Sequence, residues 1–179
     1  MDYILGGGSN SRPHVVITPF PAQSHLISLM NYAEVLHSRG FHITYVNTKY
    51  NQRHLLNSRG PQSLDGLSDF HFDTIPDGLS PCDANATQQI PSLCESTAKN
   101  CLLPFTKLLV RLHEYASNSH VPPVSCLLSD IAMTFSVKAA QKFGHPIAIY
   151  SPISAASFLG TWHGRTLLDK GVFPLKGIP

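Results

Sequence analysis

The chain has 179 residues, of which 42% are hydrophobic and only 13% are charged. This length suits one ordinary domain with a buried core, and the composition excludes an intrinsically disordered chain. The net charge of +2 comes without a basic block, so nothing indicates a surface that binds nucleic acid.

The predicted elements alternate between strand and helix along the chain. Residues 1–12 are predicted to be a flexible leader, because "GGGSNS" is rich in glycine and serine. The apolar run "HVVITPF" predicts a buried strand, and apolar residues at helical spacing then predict a helix that ends at Arg39 and Gly40. A second strand, a short helix and a third strand are predicted over 41–46, 50–59 and 70–75. Asp77 and Asp83 lie in the polar loop after this third strand and are expected to be solvated.

A long helical pattern runs from 91 to about 117 and contains Pro104. An interior proline costs about 3 kcal/mol, so we expect this helix to be kinked or split. Cys94 and Cys101 fall on its apolar face and are expected in the core. The remaining predictions are a strand ending at Asp130, a helix over 132–143, a strand in "HPIAIY" and a closing helix over 154–170. Trp162 lies in the apolar stripe of this last helix and is expected either in the core or in contact with a further domain.

Continuous apolar strands that alternate with helices are typical of a parallel sheet covered on both faces. We therefore predict an α/β fold with a Rossmann-like, doubly wound parallel sheet. In such sheets, ligands bind beyond the carboxyl ends of the strands.

Two ionisable residues occupy equivalent positions in this predicted sheet: His25 follows the first strand, and Asp130 ends a later one. The positive end of a helix disfavours an imidazolium, whereas a carboxylate that accepts from Nδ1–H favours it and fixes the tautomer. Nε2 would then be a base directed at a ligand. From this pattern alone an alternative stays open, in which His25 and Asp130 are ordinary helix caps.

Several separated stretches resemble the plant small-molecule UDP-glycosyltransferases. "HVVITPFPAQSH" is similar to the opening motif of that family, and further similar stretches follow in the same order: "GFHITYVNTKYNQRHLLNSRGP", "FDTIPDGLSPCDANATQQIPSLCEST", "VSCLLSDIAMTFSVKAAQKFGHP" and "GVFPLK". The resemblance extends from about Pro13 to Leu175. It is greatest toward the branch that glucosylates iridoid aglycones, cyanohydrins and related terpenoid or phenolic alcohols.

This resemblance implies roles for the two ionisable residues. His25 matches the general base that deprotonates the acceptor hydroxyl, and Asp130 matches the carboxylate that orients the histidine and stabilises its imidazolium. The implied reaction is direct displacement at the anomeric carbon of a UDP-sugar, with inversion and without a metal or other cofactor. The acceptor would be a small hydrophobic alcohol or phenol. Residues 13–179 would form the acceptor-binding, N-terminal domain of a GT-B fold.

Four further residues are candidates for substrate binding. Phe20 ends the first strand and is a candidate wall of an apolar acceptor pocket, with core packing as the alternative. Ser151 and Ser154 follow the "IAIY" strand and are candidates to line the acceptor site or to cap a helix. Ser24 stands where the family has glycine, so it either strains or crowds the sugar-nucleotide site or acts as a helix cap.

The chain also departs from the family in what it lacks. The tryptophan-rich donor signature of the family has no counterpart here, and Trp162 is the only tryptophan. We therefore expect the C-terminal domain, which would make most of the contacts with the UDP-sugar, to be absent, and the chain alone to be inactive. A non-catalytic remnant that keeps a small-molecule site is the alternative. A nucleotide-binding oxidoreductase domain is disfavoured, because "PFPAQSH" lacks the glycines that admit a pyrophosphate.

Targeting and metal signals are also missing. The N-terminus lacks the regions of a signal peptide, and no apolar run has the length of a membrane span. We expect a cytosolic protein with no membrane insertion, in which the four cysteines are reduced. The ten histidines show no metal-ligand spacing, so no metal site is predicted.

Overall fold

A computed structural model of the protein describes residues 12–60, 68–79, 88–118 and 121–172. The predicted leader over 1–12 therefore lies outside the described residues, apart from Arg12. Within these ranges the elements are, in chain order, β1 (His14–Thr18), α1 (Gln23–Ser38), β2 (His42–Thr48), α2 (Lys49–Arg59), β3 (Phe70–Ile75), α3 (Ile90–Asn100), α4 (Leu102–Asn118), β4 (Val124–Asp130), α5 (Phe135–Phe143), β5 (Ile147–Tyr150), α6 (Ala155–Trp162) and α7 (Gly164–Asp169). None of these helices is both long enough and apolar enough to cross a membrane.

The five strands form one parallel sheet in the order β3-β2-β1-β4-β5. The predicted α/β parallel sheet is therefore confirmed. The chain runs outward from β1 in one direction through β2 and β3, and in the other direction through β4 and β5. The strand order thus reverses between β1 and β4, which is where open α/β sheets bind their ligands.

The sheet is covered by a separate apolar cluster on each face. On one face, Leu29 and Ala33 of α1 pack with Val15 and Ile17 of β1. On the other face, α3, α4 and α5 pack against Val16 of β1 and against the side chains of neighbouring strands that lie on the same face as Val16. Because alternate residues of β1 face opposite clusters, all five of its residues are buried. This central strand therefore fixes the position of whatever follows its carboxyl end.

The long helical segment is split, as Pro104 predicts. The break lies at Cys101, and Pro104 is the third residue of α4. Proline has no N–H to donate to the carbonyl of Asn100, and its ring would clash with that carbonyl in a continuous helix. Cys101 is buried, whereas Cys94 is exposed, so the prediction that both cysteines lie in the core is wrong for Cys94.

The last predicted helix differs more strongly from the structure. It is two short helices, α6 and α7, that meet at His163, and neither contains a buried residue. Trp162 is 73% exposed, so it does not lie in the core, and the alternative that it contacts a further domain stays a prediction. Helix α5 also begins three residues later than predicted, because a turn after β4 is closed by hydrogen bonds from Met133 N–H to Asp130 O and from Ser136 N–H to Met133 O.

Histidines cluster at the amino ends of the first three strands. The ring centroids of His14 and His42 lie 4.5 Å apart, and those of His42 and His71 lie 5.0 Å apart. His14 is fully buried, with Nδ1 hydrogen-bonded to the carbonyl of Pro122 at 2.9 Å and Nε2 to the hydroxyl of Thr44 at 2.8 Å. Burial lowers the pKa of His14 to about 4 and also lowers the pKa of His42.

These buried histidines predict acid destabilisation. Below the ordinary histidine pKa of 6.5 the unfolded chain binds protons, whereas folded His14 binds none until the pH approaches its pKa of about 4. The free energy of unfolding should therefore fall as the pH decreases from 6.5 to about 4, by up to about 1.4 kcal/mol per pH unit from His14. His14→Gln should reduce this slope, and the matched change at exposed His163 should leave it unchanged. Urea unfolding across that pH range measures the slopes, and equal slopes in the two variants would contradict this assignment.

Candidate active site

The site lies at the carboxyl ends of β1 and β4, which are neighbours in the centre of the sheet. Thr18, the last residue of β1, is paired with Ser129, so Asp130 lies next to the end of β1. The chain then passes through Pro21 and enters α1, of which His25 is the third residue. Sheet register and a short connection therefore bring His25 above the end of β4.

The structure brings His25 and Asp130 into direct contact. Nδ1 of His25 lies 2.7 Å from Oδ2 of Asp130. The other carboxylate oxygen, Oδ1, accepts a hydrogen bond from the backbone N–H of Ala132 at 2.9 Å. The side chain of Asp130 is fully buried, whereas that of His25 is 23% exposed. The carboxylate is thus held from two sides, and the imidazole connects it to the surface.

This geometry determines which ring nitrogen is free to react. A carboxylate only accepts hydrogen bonds, so Nδ1 of His25 carries the proton and the lone pair of the neutral ring is on Nε2. If Nε2 takes up a proton, the imidazolium forms beside a buried negative charge that stabilises it. The pair is therefore able to remove a proton from a ligand hydroxyl, which is the chemistry of a general base.

Phe20 lies beside the pair but belongs to the core. It is only 2% exposed, and its ring packs edge-on against the imidazole of His25 with centroids 5.3 Å apart. This burial favours core packing over the predicted pocket wall. Phe20 therefore supports the site indirectly, because its ring limits the movement of the His25 ring.

Ser24 is not the N-cap of a helix, which was one of the two roles predicted for it. The N-cap of α1 is Ala22, which makes no side-chain hydrogen bond, and Ser24 is an exposed residue of the first helical turn. The capping prediction is therefore wrong. The strain expected from a positive φ also does not arise, because Ser24 has helical backbone. Crowding of a sugar nucleotide by this side chain stays a prediction.

The two serines after β5 have different environments. Ser154 caps α6 by accepting the N–H of Ser157 at 3.1 Å, so the capping alternative is confirmed for this residue. Ser151 caps no helix in the described chain, so capping is wrong there. It follows Tyr150, whose strand position is paired with Asp130, and its buried hydroxyl has no hydrogen-bond partner among the described residues. Ligand contacts by both serines stay predictions.

Thr18 is a polar residue at this edge that the sequence did not single out. Its buried hydroxyl lacks a hydrogen-bond partner among the described residues, like that of Ser151. Thr18 ends β1 and Ser151 directly follows β5, and these two strands flank β4, so Asp130 has an unpaired hydroxyl on each side. A threonine at the end of an apolar strand is the only signal in the sequence, and it does not reveal that the hydroxyl is unpaired.

Asp77 organises the loop after β3, although the sequence predicts a solvated side chain there. It is buried, with Oδ1 accepting the N–H of Leu79 at 3.0 Å and Oδ2 accepting Nε2 of Gln88 at 2.6 Å. Its backbone carbonyl accepts the hydroxyl of Ser96 on α3 at 2.9 Å. The prediction of a solvated Asp77 is therefore wrong. Asp83, for which the same was predicted, lies outside the described residues.

Gly78 allows this loop to approach α3 closely. Its φ is +79°, and an added Cβ would lie 2.5 Å from Cβ of Asn100. Both the backbone conformation and the lack of space require glycine here. The loop after β3 is therefore fixed against α3 at the same end of the sheet as His25 and Asp130.

A separate groove of about 670 Å³ lies between α1, α2 and the start of α3. Leu26, Met30 and Leu93 contribute apolar surface to it, and Asn51 and Gln88 contribute amides. Neither His25 nor Asp130 lines this groove, so it is distinct from the contact between the two residues. Within the described ranges, no group of three or more histidine, cysteine or acidic side chains is arranged to hold a metal ion.

Comparison with known proteins matches most of the chain to one family. Residues 12–162 match the family model described as "Glycosyltransferase, N-terminal domain". The sequence is 51% identical over 167 residues to 7-deoxyloganetin glucosyltransferase from Catharanthus roseus, a match that covers 93% of this chain and 34% of the relative. It is 52% identical over 172 residues to the protein of the same name from Gardenia jasminoides, covering 94% of this chain and 36% of the relative. The chain thus spans about a third of the length of these curated relatives.

Solved structures agree on the fold. The structure of Phytolacca americana UGT2 complexed with UDP-2fluoro-glucose and pterostilbene matches 96% of this chain and 38% of its own, with a TM-score of 0.65 and 21% sequence identity. At that identity the likeness shows the architecture alone. It confirms the predicted fold class, the N-terminal α/β part of a plant transferase fold.

The Asp77 contacts give a prediction about stability. Asp77→Ala leaves the N–H of Leu79 and the amide of Gln88 without their acceptor, and should lower the free energy of unfolding by about 1–3 kcal/mol. Asp77→Asn keeps an acceptor oxygen and should cost less. Asp169→Ala, which removes an exposed ion pair with Arg165, should change stability by less than about 1 kcal/mol. Urea unfolding measures all three, and equal effects of Asp77→Ala and Asp169→Ala would contradict this role.

Proposed function

Because the chain belongs to the glycosyltransferase N-terminal domain family, we propose that it is the acceptor-binding part of an inverting transferase. The transferase moves a sugar from a UDP-sugar to a hydroxyl group of a small hydrophobic alcohol or phenol. The observation that carries this proposal is the 2.7 Å contact between His25 Nδ1 and Asp130 Oδ2 at the carboxyl edge of the sheet. The names of the two relatives support glucose as the sugar.

In the proposed reaction, Nε2 of His25 takes the proton of the acceptor hydroxyl. The hydroxyl oxygen attacks the anomeric carbon of the sugar from the side opposite to the nucleotide. The bond from the anomeric carbon to the phosphate oxygen breaks, and UDP leaves with the electron pair, so the configuration at that carbon is inverted. The proton on His25 then passes to solvent, to which this side chain is partly exposed.

Asp130 acts on His25 rather than on the substrate. Its buried carboxylate fixes the proton on Nδ1 and so directs the lone pair of Nε2 to the acceptor. When the imidazolium forms, a positive charge appears next to a negative one in a site of low polarity, where their attraction is strong. Base catalysis of this kind accelerates reactions by roughly 10²–10⁴-fold.

Apolar side chains next to the site support a hydrophobic acceptor. Ile131 follows Asp130 directly, and Ile153 lies just beyond β5, and both are exposed. Exposed isoleucines at the carboxyl edge of a sheet offer apolar contact to a terpenoid or aromatic skeleton. Ser151 and Ser154 lie in the same segment and would provide hydroxyl groups for orientation.

The donor would be held mainly by a part of the transferase outside the region that this chain matches. Two thirds of each relative lies outside the matched part. We propose that the UDP-sugar binds to this unmatched part. That part would then cover the edge of the sheet that carries His25. The chain alone should then bind acceptors but not transfer sugar.

The role of His25 is tested in a chimera in which this chain replaces the matched part of the Catharanthus roseus relative. The chimera should convert UDP-glucose and a terpenoid or phenolic alcohol to a glucoside. His25→Ala should lower kcat/KM by roughly 10²–10⁴-fold, because the acceptor loses its base. Asp130→Asn should have a similar effect, because an amide donates to Nδ1 and moves the proton to Nε2. Chromatographic assay of the glucoside measures the rates.

His163→Ala is the matched control, because His163 is exposed and lies outside the contact. It should keep the rate of the unsubstituted chimera. A rate within threefold of the unsubstituted chimera after His25→Ala would contradict the proposed base. A folded chimera without turnover would instead favour a non-catalytic remnant that only binds small molecules.

A further inference from the structure

We infer that Tyr45 and Asn51 are positioning residues that fix the backbone on both sides of His25 and thereby hold its imidazole against Asp130. This inference rests on the proposed roles of His25 and Asp130. Among the described residues, neither positioning residue shares a hydrogen bond or a ring contact with the imidazole. Each acts through a backbone carbonyl of the segment that carries it.

Two hydrogen bonds from different elements hold the chain just before and just after His25. Nδ2 of Asn51, in the first turn of α2, donates to the carbonyl of Pro21 at 3.0 Å. The hydroxyl of Tyr45, in β2, donates to the carbonyl of Leu26 at 2.7 Å. His25 lies between these two carbonyls, so the first turn of α1 is attached at both ends to a neighbouring strand and helix.

The first turn of α1 needs such attachments because it lacks its own. Ala22 at the N-cap provides no side-chain hydrogen bond, and the first turn contains no acidic residue. The first N–H groups of a helix have no partner within the helix, so an uncapped turn frays more easily. A base on such a turn would move relative to a carboxylate that is held in a strand.

Both positioning side chains are themselves held firmly. Tyr45 is fully buried and packs with Leu29 and Ala33 of α1. Burial also raises the pKa of its hydroxyl far above the ordinary value, so the group remains a donor. The backbone N–H of Asn51 donates to the hydroxyl of Thr48 at 3.2 Å, which anchors the start of α2.

The contact between His25 and Asp130 tolerates little movement. Asp130 ends a central strand, and its carboxylate is fixed by Ala132 N–H. N–H···O hydrogen bonds span about 2.7–3.2 Å, so a shift of the turn by more than roughly half an ångström would take the 2.7 Å contact outside this range. The hydrogen bonds to the carbonyls of Pro21 and Leu26 therefore maintain the distance between His25 and Asp130 that the proposed mechanism requires.

Exchange of the Nδ1–H proton of His25 with water, followed by NMR on the isolated chain, tests this inference. Tyr45→Phe and Asn51→Ala should each increase the exchange rate roughly 2- to 12-fold, as expected for loss of one hydrogen bond. Tyr32→Phe and Asn57→Ala make the same chemical changes at exposed positions of α1 and α2 and should leave the rate unchanged. The Nδ1–H of His14, which donates to the carbonyl of Pro122 in the core, is the internal reference.

The result expected is faster exchange at His25 with no change at His14. If both protons exchange faster together, Tyr45 and Asn51 only stabilise the whole fold, and the inference is overturned. If neither variant changes His25, it is overturned as well. Asp130→Ala separates this from the proposed function: it should abolish the protected Nδ1–H signal, and a signal that persists would remove the proposed pair itself.

Discussion

The hydrogen bond from His25 to Asp130 joins two segments that are 105 residues apart, and it explains why a carboxylate can be buried in this sheet. A buried carboxylate is strongly destabilising unless it is paired and hydrogen-bonded. Asp130 meets both conditions, because one oxygen faces the imidazole and the other accepts the N–H of Ala132. Burial destabilises an isolated carboxylate, but it also strengthens the attraction between the carboxylate and an imidazolium.

The fold provides this contact through its topology. Strands β1 and β4 are adjacent where the strand order reverses, so the segments that follow them meet at one edge of the sheet. Helix α1 approaches that edge without a side-chain cap, and its first turn is attached to β2 and α2 through Tyr45 and Asn51. Strand pairing sets the approximate position of His25, and the two side chains determine its final distance from Asp130.

The sequence predicts features that depend on local pattern and on general sheet geometry. The split at Pro104 follows from backbone chemistry, and the meeting of His25 with Asp130 follows from the parallel sheet. Features that depend on long-range contacts were not predictable. An apolar stripe such as that of α6 indicates one face of a helix but not what that face packs against, so it does not decide between a buried and an exposed Trp162. A loop composition likewise does not reveal that Asp77 bonds to residues of a distant helix.

The central claim is that His25 presents Nε2 as a base because Asp130 holds the proton on Nδ1. A crystal structure of the chain at better than about 1.2 Å, a resolution at which hydrogens become visible, tests this directly. The account predicts a hydrogen on Nδ1 that is directed at Oδ2 of Asp130 over about 2.6–3.2 Å. An imidazole turned away from Asp130, or one with Nε2 against the carboxylate, would contradict it.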